Sequence, residues 1–470
     1  MKALSIRQIR QVVGGKALSP IPADAPMVQA VCTDTRRMEK GSLFVALRGD
    51  NHNAHEFLPQ AAAGGAVAAL VEHRPAQSLP NVLLIEVPDT RVAMGKLANY
   101  CRRHMQAKVV AVAGSNGKTS TKHLIDAALC GKLRGSISPK SWNNDIGVPL
   151  TIFPADPLQD YLVLEMGTNH HGEIRVLSEM AAPDVAVITN CGADHLEFLD
   201  DLMGVRRENA NIIHGLSPKG LLIVNGDDPD LLSAVAEYAG KRITFGFKDT
   251  NDLFATDIRC DETGTRFTIN NSRREVFVPM LGAHSACNTL AAIAVARKLG
   301  VPEDVIISSL SSARGPEMRL QWQSAGTVRV LNDAYNANPH SMRAALDTAA
   351  ALHADGRRVA VLGDMKELGQ ASERYHKEIG QAVAAAKAFD LLVCVGQQAS
   401  LIADTAIASG VPAEAVSRFE DAVTASLAVP ALLRDGDLVL LKGSRSMRLE
   451  EIAKAITHQA QEIPVRMVAS

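Results

Sequence analysis

The sequence predicts an α/β protein of about three domains: a small N-terminal α/β domain, a central P-loop ATPase-like parallel-sheet domain, and a C-terminal Rossmann-like domain. Three observations lead there. The chain has 470 residues, too many for one core when domains run to roughly 100–200 residues. Short apolar, β-branched runs alternate with segments of helical period along its length, the rhythm of parallel sheets covered by helices. One such run, Val109–Ala113, enters a glycine turn that opens a helical segment, Thr119–Leu129, which is the setting of a phosphate cradle.

With 47% hydrophobic residues and a formal net charge of -2, the chain lacks the basic excess of a nucleic-acid binder, so its expected partners are small molecules. The seven cysteines, at 32, 101, 130, 191, 260, 287 and 394, are odd in number and form no C-x-x-C pair, which fits reduced thiols in a cytosol. Met1–Gly15 has no signal-peptide apolar core. The most apolar window, Ala61–Val71, is far shorter than the ~20 residues a membrane span needs. A cytoplasmic location without stable membrane insertion is therefore expected, with the chain acting as a monomer.

In the first domain, residues 1–106, the runs Val28–Val31, Leu43–Leu47, Ala66–Val71 and Val82–Val87 read as strands, and Ala54–Gly64 as helical. Polar clusters follow two of them, Cys32-Thr33-Asp34-Thr35-Arg36-Arg37 and Arg48–His55. Strand ends are where an α/β layer carries ligand contacts, although two solvated loops would read the same way.

The central domain, residues 107–312, opens on Gly114-Ser115-Asn116-Gly117-Lys118-Thr119-Ser120. Its glycines let backbone N–H groups approach an anion, Lys118 adds charge, and the Thr119 hydroxyl can reach a magnesium ion. The full G-x-x-x-x-G-K-[ST] pattern would want glycine where Val112 stands, so the loop is a shortened version. Ser141–Leu150 follows, and the paired amides of Asn143 and Asn144 can read both donors and acceptors on a polar substrate. Tyr161–Leu164 then delivers Glu165 at a strand end, and Val185–Thr189 delivers Asn190 and His195. Converging there, the loop hydroxyl, a carboxylate and an imidazole would surround ATP-bound magnesium.

The third domain, residues 313–470, begins at a hinge, Arg314-Gly315-Pro316, where Gly and Pro interrupt the preceding pattern. Strand-like Val328–Leu331, Val359–Leu362, Leu391–Val395 and Leu438–Leu441 alternate with helical segments such as Ser372–Phe389. Their ends carry Asn332–Pro339, Gly363–Gly369 and Lys442–Arg445, and no G-x-G-x-x-G is present.

The chain resembles the Mur ligases, the ATP-dependent amide-forming enzymes of peptidoglycan precursor synthesis, over nearly its whole length. The residues that carry this are Gly114–Thr119, Asn143–Pro149, Glu165-Met166-Gly167, Asn190 with His195, and Gly282–Asn288, where Ser285 stands in place of the usual Asn. Thr33-Asp34-Thr35-Arg36 looks like the family's UDP-contacting element, while Asn53-Ala54-His55 departs from the commoner Asp-Gly-His. The third-domain motifs narrow the resemblance to the branch that adds D-alanyl-D-alanine to UDP-N-acetylmuramoyl-tripeptide.

The resemblance implies an acyl-phosphate route with ATP and Mg2+. It implies that Lys118 contacts the β- and γ-phosphates, that Thr119 and Glu165 hold the magnesium of ATP, and that His195 serves a second magnesium. Gly114, Ser115, Asn116, Gly117, Ser120, Asn288, Arg319 and Asp333 would complete the nucleotide site, in the cleft between the central and third domains. Thr33, Asp34, Thr35, Arg36, Asn143 and Asn144 would bind the UDP-substrate. Many family members carry a carbamylated lysine fourteen residues after the histidine. This chain has Asn209 there, so Asn209 or water is expected to help His195 with the second ion, and activity to be independent of bicarbonate. Competing readings are another amide ligase of the Mur or folylpolyglutamate type, or a P-loop regulator that hydrolyses ATP slowly.

Overall fold

Three sheets of five, nine and six strands carry the chain in sequence order, together with a two-stranded pair. The computed structural model describes residues 2–49, 52–77 and 79–466; Asp50 and Asn51 of the Arg48–His55 cluster lie outside the described residues.

The first sheet runs in the order Lys16–Ala17, Leu83–Glu86, Ala66–Val71, Ser42–Val45, Ala30–Cys32. All its pairings are parallel except that of the Lys16–Ala17 edge. The expected helix over Ala54–Gly64 is split into a 3-10 turn, Ala54–Phe57, and a helix, Leu58–Ala63. Asn53 caps the turn by accepting from the His55 N–H, and Pro59 takes an early helical position where its missing N–H goes unmissed.

Helix Thr90–Arg103 joins the first sheet to the second. Asp89 caps it through the N–H groups of Arg91 and Val92. Met94 and Leu97 are fully buried in one core with Ile174 and Leu177 of helix Glu173–Ala181, each contributing about 1.5–3 kcal/mol by leaving water. Arg102 finishes the seam: its buried guanidinium donates to the carbonyls of Ala181 and Ala182, both at 3.0 Å, and to Asp184 at 2.7 Å. A buried charge is tolerated because nearly every donor has an acceptor.

The nine-stranded sheet has the order Glu275–Val278, Gly264–Ile269, Leu253–Asp261, Lys241–Gly246, Leu221–Asn225, Val185–Ile188, Lys108–Ala113, Tyr161–Glu165, Gly135–Ile137. Its middle strands are parallel and almost wholly apolar, as strands covered on both faces must be. Glu165 pairs with Val112 and Ile188 with Ala113, so Gly114, Glu165 and Thr189 emerge side by side at one edge. The antiparallel hairpin Leu253–Asp261 with Gly264–Ile269 was not foreseen.

In the third sheet Leu438–Lys442 lies between Val328–Asn332 and Arg358–Gly363, all parallel. Asp333, Lys442 and the turn after Gly363 therefore leave from neighbouring strands. An antiparallel edge strand, Gln321–Ala325, is also new. Its Trp322 donates its indole N–H to the Glu262 carbonyl at 3.0 Å, joining the third domain to the tip of the central hairpin. All seven cysteines are free, and no helix among the described residues is long and apolar enough to cross a membrane.

Candidate active site

The phosphate loop is built on two glycines in left-handed backbone. Gly114 has φ 132° and Gly117 has φ 81°. A Cβ on Gly114 would lie 2.1 Å from Thr189 Oγ1 and 2.9 Å from the Asn190 carbonyl; one on Gly117 would lie 2.6 Å from Asn288 Oδ1. The neighbouring strand end holds the loop from below. Asn190 O accepts from the Ser115 N–H at 2.8 Å, while Thr189 Oγ1 and Asn190 Nδ2 donate to Asn116 O at 2.6 and 3.0 Å. Gly114→Ala is expected to lower stability by about 1–3 kcal/mol through backbone strain and to weaken nucleotide binding, read by thermal melting and titration calorimetry. Wild-type nucleotide affinity in that variant would refute this account of the loop.

Lys118 folds back over the loop, and its ammonium donates to the carbonyls of Gly114 at 2.6 Å and Ser115 at 3.1 Å. Burial pushes its pKa down, opposed by the charges of Asp194 and Glu165. Thr119, buried at the start of helix Lys118–Cys130, accepts from Arg319 Nη2 at 3.2 Å. Arg319 comes from the third domain, with its guanidinium 4.3 Å above the Tyr335 ring. It is flanked by Met318 at φ 54° and Leu320 at φ 48°, a strained segment of the kind that persists only where its surroundings hold it.

Glu165 is buried at the end of its strand. Its Oε1 accepts from Asn143 Nδ2 at 3.1 Å. Its Oε2 lies 3.1 Å from the ammonium of Lys122, a fully buried lysine one helical turn beyond Lys118, yet has no aligned hydrogen-bond donor. Lys122 also donates to the carbonyl of Lys140, whose φ is 46°, so one ammonium ties the carboxylate to the loop that carries Asn143 and Asn144. Burial lowers the pKa of Lys122 and Glu165 works against that.

His195 has φ 53°. Its Nδ1 is hydrogen-bonded to Glu367 of the third domain, and its Nε2 stands 3.6 Å from Asp194 Oδ2. Burial would lower its pKa, but the Glu367 hydrogen bond and the Asp194 charge outweigh it and the net shift is upward. One further contact ties the central and third domains: Asn116 and Asn338 exchange amide hydrogen bonds at 3.2 and 2.9 Å. Within the third domain, Asp333 accepts from Leu320 N at 3.1 Å and pairs with Lys442 at 2.6 Å.

These groups surround one cavity of about 470 Å³, lined by Ser115–Lys118, Ser120, Asn143, Asn144, Glu165, Asn190, Asp194, His195, Asn288, Arg319, Asp333 and Lys442, with Arg91 of the first domain at its side. The structure thus brings most of the expected nucleotide residues together. Gly114 and Thr119 lie in the loop and helix behind the lining. The amide of Asn144 is spent locally, its Oδ1 accepting from the N–H groups of Ile146 and Gly147.

Thr33, Asp34, Thr35 and Arg36 do not line this cavity. Asp34 caps the 3-10 turn Thr35–Arg37 and accepts from Arg36 at 2.9 and 2.8 Å, and those bonds hold its carboxyl down at about 2. Asn209 requires a correction. It is buried, away from the cavity, with Nδ2 donating back to Val205 O at 2.9 Å and Oδ1 without a partner. The Asn209 side chain does not line the cavity. Lys122, Asp194 and Glu367 are the site residues that the sequence reading missed. Among the described residues, no three His, Cys, Asp or Glu side chains are grouped to hold a metal unaided.

Comparison with known proteins bears on these residues. The Mur ligase middle domain matches residues 112–296, and the Mur ligase glutamate ligase domain matches residues 318–445. The UDP-N-acetylmuramoyl-tripeptide--D-alanyl-D-alanine ligase of Bacillus subtilis (strain 168) is 36% identical over 451 residues, 96% of this chain and 97% of that one. A crystal structure of MurF from Acinetobacter baumannii superposes with a TM-score of 0.88 at 30% identity, covering 97% of this chain and 99% of that one. A MurF ligase from Thermotoga maritima in complex with ADP gives a TM-score of 0.82 at 26% identity, covering 93% and 98%.

Proposed function

Because this chain belongs to the Mur ligase family, we propose that it joins D-alanyl-D-alanine to UDP-N-acetylmuramoyl-tripeptide at the expense of ATP. The observation that carries this is the single cavity in which the phosphate loop, Glu165 and His195 of the central domain face Arg319, Asp333 and Lys442 of the third. A nucleotide in that loop would have its γ-phosphate directed toward residues of both domains.

The chemistry follows from the reluctance of a carboxylate to be acylated in water. The terminal carboxylate of the tripeptide attacks the γ-phosphorus, ADP departs, and an acyl phosphate forms. The free amine of D-alanyl-D-alanine then adds to the acyl carbon, phosphate leaves, and the amine sheds its proton as the amide forms. No covalent enzyme intermediate is needed, so the protein contributes position and charge.

In this reading Lys118 exchanges the carbonyls of Gly114 and Ser115 for phosphoryl oxygens. Arg319 neutralises charge from the opposite wall. Asn288 stands where it can contact the nucleotide beside Gly117. Glu165, held by Lys122 and Asn143, lines the cavity, and its carboxylate fits a hard divalent cation, with Thr119 as its neighbour on the loop. Bound Mg2+ would screen the β- and γ-phosphate oxygens during transfer. The turn that Asp34 caps, with Arg36, is the candidate UDP contact.

The test is phosphate release by the purified chain in carbon-dioxide-depleted buffer. Release is expected only when ATP, UDP-tripeptide and D-alanyl-D-alanine are all present. Its rate is expected to stay the same on adding bicarbonate, because Asn209 has no amine to carbamylate. Release without the two substrates would favour a regulator that hydrolyses ATP, and strong rescue by bicarbonate would refute the expected independence of bicarbonate.

A further inference from the structure

One wall of the cavity is the segment that follows Glu165: Gly167, Thr168 and Asn169 line it, together with Glu173. The segment belongs to no helix or strand, yet its backbone is bonded along its length. The Gly167 N–H donates to Asn143 O at 2.8 Å. Those of Asn169 and His170 donate to Glu173 Oε2 at 2.6 and 3.0 Å, and those of Gly172 and Ile174 to the two oxygens of Glu208 at 2.7 and 2.8 Å. Glu208 comes from a different helix, Leu202–Ala210, and is only 1% exposed. Asn211 Nδ2 gives it a third donor at 3.0 Å. The buried carboxylate is stable there because donors meet both oxygens and because it faces the positive end of helix Glu173–Ala181, which starts after Gly172 at φ 86°. Glu208 does not line the cavity, so whatever it does for a ligand it does from behind the wall.

We infer that Glu208 is a positioning residue for the peptide part of the UDP-substrate, holding segment 167–172 in the shape that presents Asn169 to it. The inference deepens the ligase reading and rests on it for where the substrate lies. In that reading the terminal carboxylate of the tripeptide meets the γ-phosphate beside Glu165. Asn169, four residues further on, lies within about 14 Å of Glu165 along the chain, so the peptide groups behind that carboxylate pass over this wall. Asn169 is exposed, its backbone N–H is spent on Glu173, and its side-chain amide can both donate to and accept from a peptide group. Thr168 is less available, because its hydroxyl donates within the segment, to His170 O at 2.8 Å. A wall ordered before the substrate arrives spares the cost of ordering it on binding. The alternative, in which Glu208 serves only to start helix Glu173–Ala181, predicts lost stability with no selective effect on one substrate.

The experiment is a double-mutant cycle in the full chain. Glu208→Gln keeps the size of the side chain and replaces one acceptor oxygen with an amide nitrogen that faces a backbone N–H. It is expected to raise KM for UDP-tripeptide at least tenfold, with kcat within threefold and KM for ATP within twofold, the pattern of binding lost equally from ground and transition states. Asn169→Ala should raise the same KM in the unmutated background and add less than twofold in Glu208→Gln, where the amide is already misplaced. Val205→Ala, in the core on the same helix, is the control: its melting temperature should fall and its KM for UDP-tripeptide stay unchanged. An unaltered KM in Glu208→Gln, an equal effect of Asn169→Ala in both backgrounds, or as large a rise in Val205→Ala would overturn the inference. Should Glu208→Gln fail to fold, amide hydrogen exchange gives the reading on the unmutated chain. Exchange across residues 167–174 at least a hundredfold slower than in an unstructured peptide, before any substrate is added, supports the inference; free exchange until UDP-tripeptide is added overturns it. Substrate-dependent phosphate release judges the ligase reading separately, since the exchange measurement needs no turnover.

Discussion

Lys118→Ala is expected to slow ligation about a hundred- to a thousandfold while leaving the fold intact. The effect corresponds to roughly 3–4 kcal/mol of transition-state stabilisation, the usual worth of a group aimed at charge that develops during reaction. The fold should survive because the bonds that Lys118 makes go to the carbonyls of Gly114 and Ser115, while Thr189 and Asn190 hold the loop independently. Steady-state rates with both substrates, beside a thermal melt, would check this. A variant that kept half of its activity would sink the assignment of the loop.

The second large effect is on stability. Lys122→Met should cost about 3–5 kcal/mol, because removing one partner of a buried ion pair leaves the other charge uncompensated. Glu165 is only 1% exposed, so water cannot take over from the ammonium. Urea unfolding of Lys122→Met, Glu165→Gln and the double variant would measure it. The double variant should be more stable than Lys122→Met alone, since the orphaned charge is gone. A loss under ~1 kcal/mol in Lys122→Met would mean the pair is not the uncompensated charge described here.

How much could be read in advance depended on how local the pattern was. The phosphate loop was legible because glycine, lysine and hydroxyl follow one another within a few residues between a strand and a helix. Lys122 sits on the same helix, four residues past Lys118, and that spacing puts two lysines on one helical face. Its burial could not be read, because the carboxylate it meets is 43 positions away (165 − 122). Glu367 was quoted as part of a motif and given no role. Its partner His195 is 172 residues distant, and no single-sequence pattern reports such a pairing.

The hairpin over residues 253–269 was missed for a different reason. Its strand alternates buried and exposed positions, and Gly264 follows directly on the Glu262-Thr263 turn, so the signal was there. The parallel rhythm of the surrounding runs drew attention from it. Asn209 shows the opposite failure: its position was right for the family comparison, but its Nδ2 turns back onto its own helix to Val205 O and the side chain does not line the cavity.

The chain contains two tryptophans, and the fold gives each a separate place to report from. Trp142 belongs to the loop that Lys122 ties to Glu165, beside Asn143 and Asn144. Trp322 spends its indole N–H on the Glu262 carbonyl across the joint between the central and third domains. Indole emission shifts with solvent access and with loss of such a bond, so the protein carries two native optical probes, one on the substrate loop and one on the domain joint. Replacing either by phenylalanine leaves the other as a single emitter, and stopped-flow fluorescence could then time the order in which nucleotide and UDP-tripeptide act on the two without any attached dye.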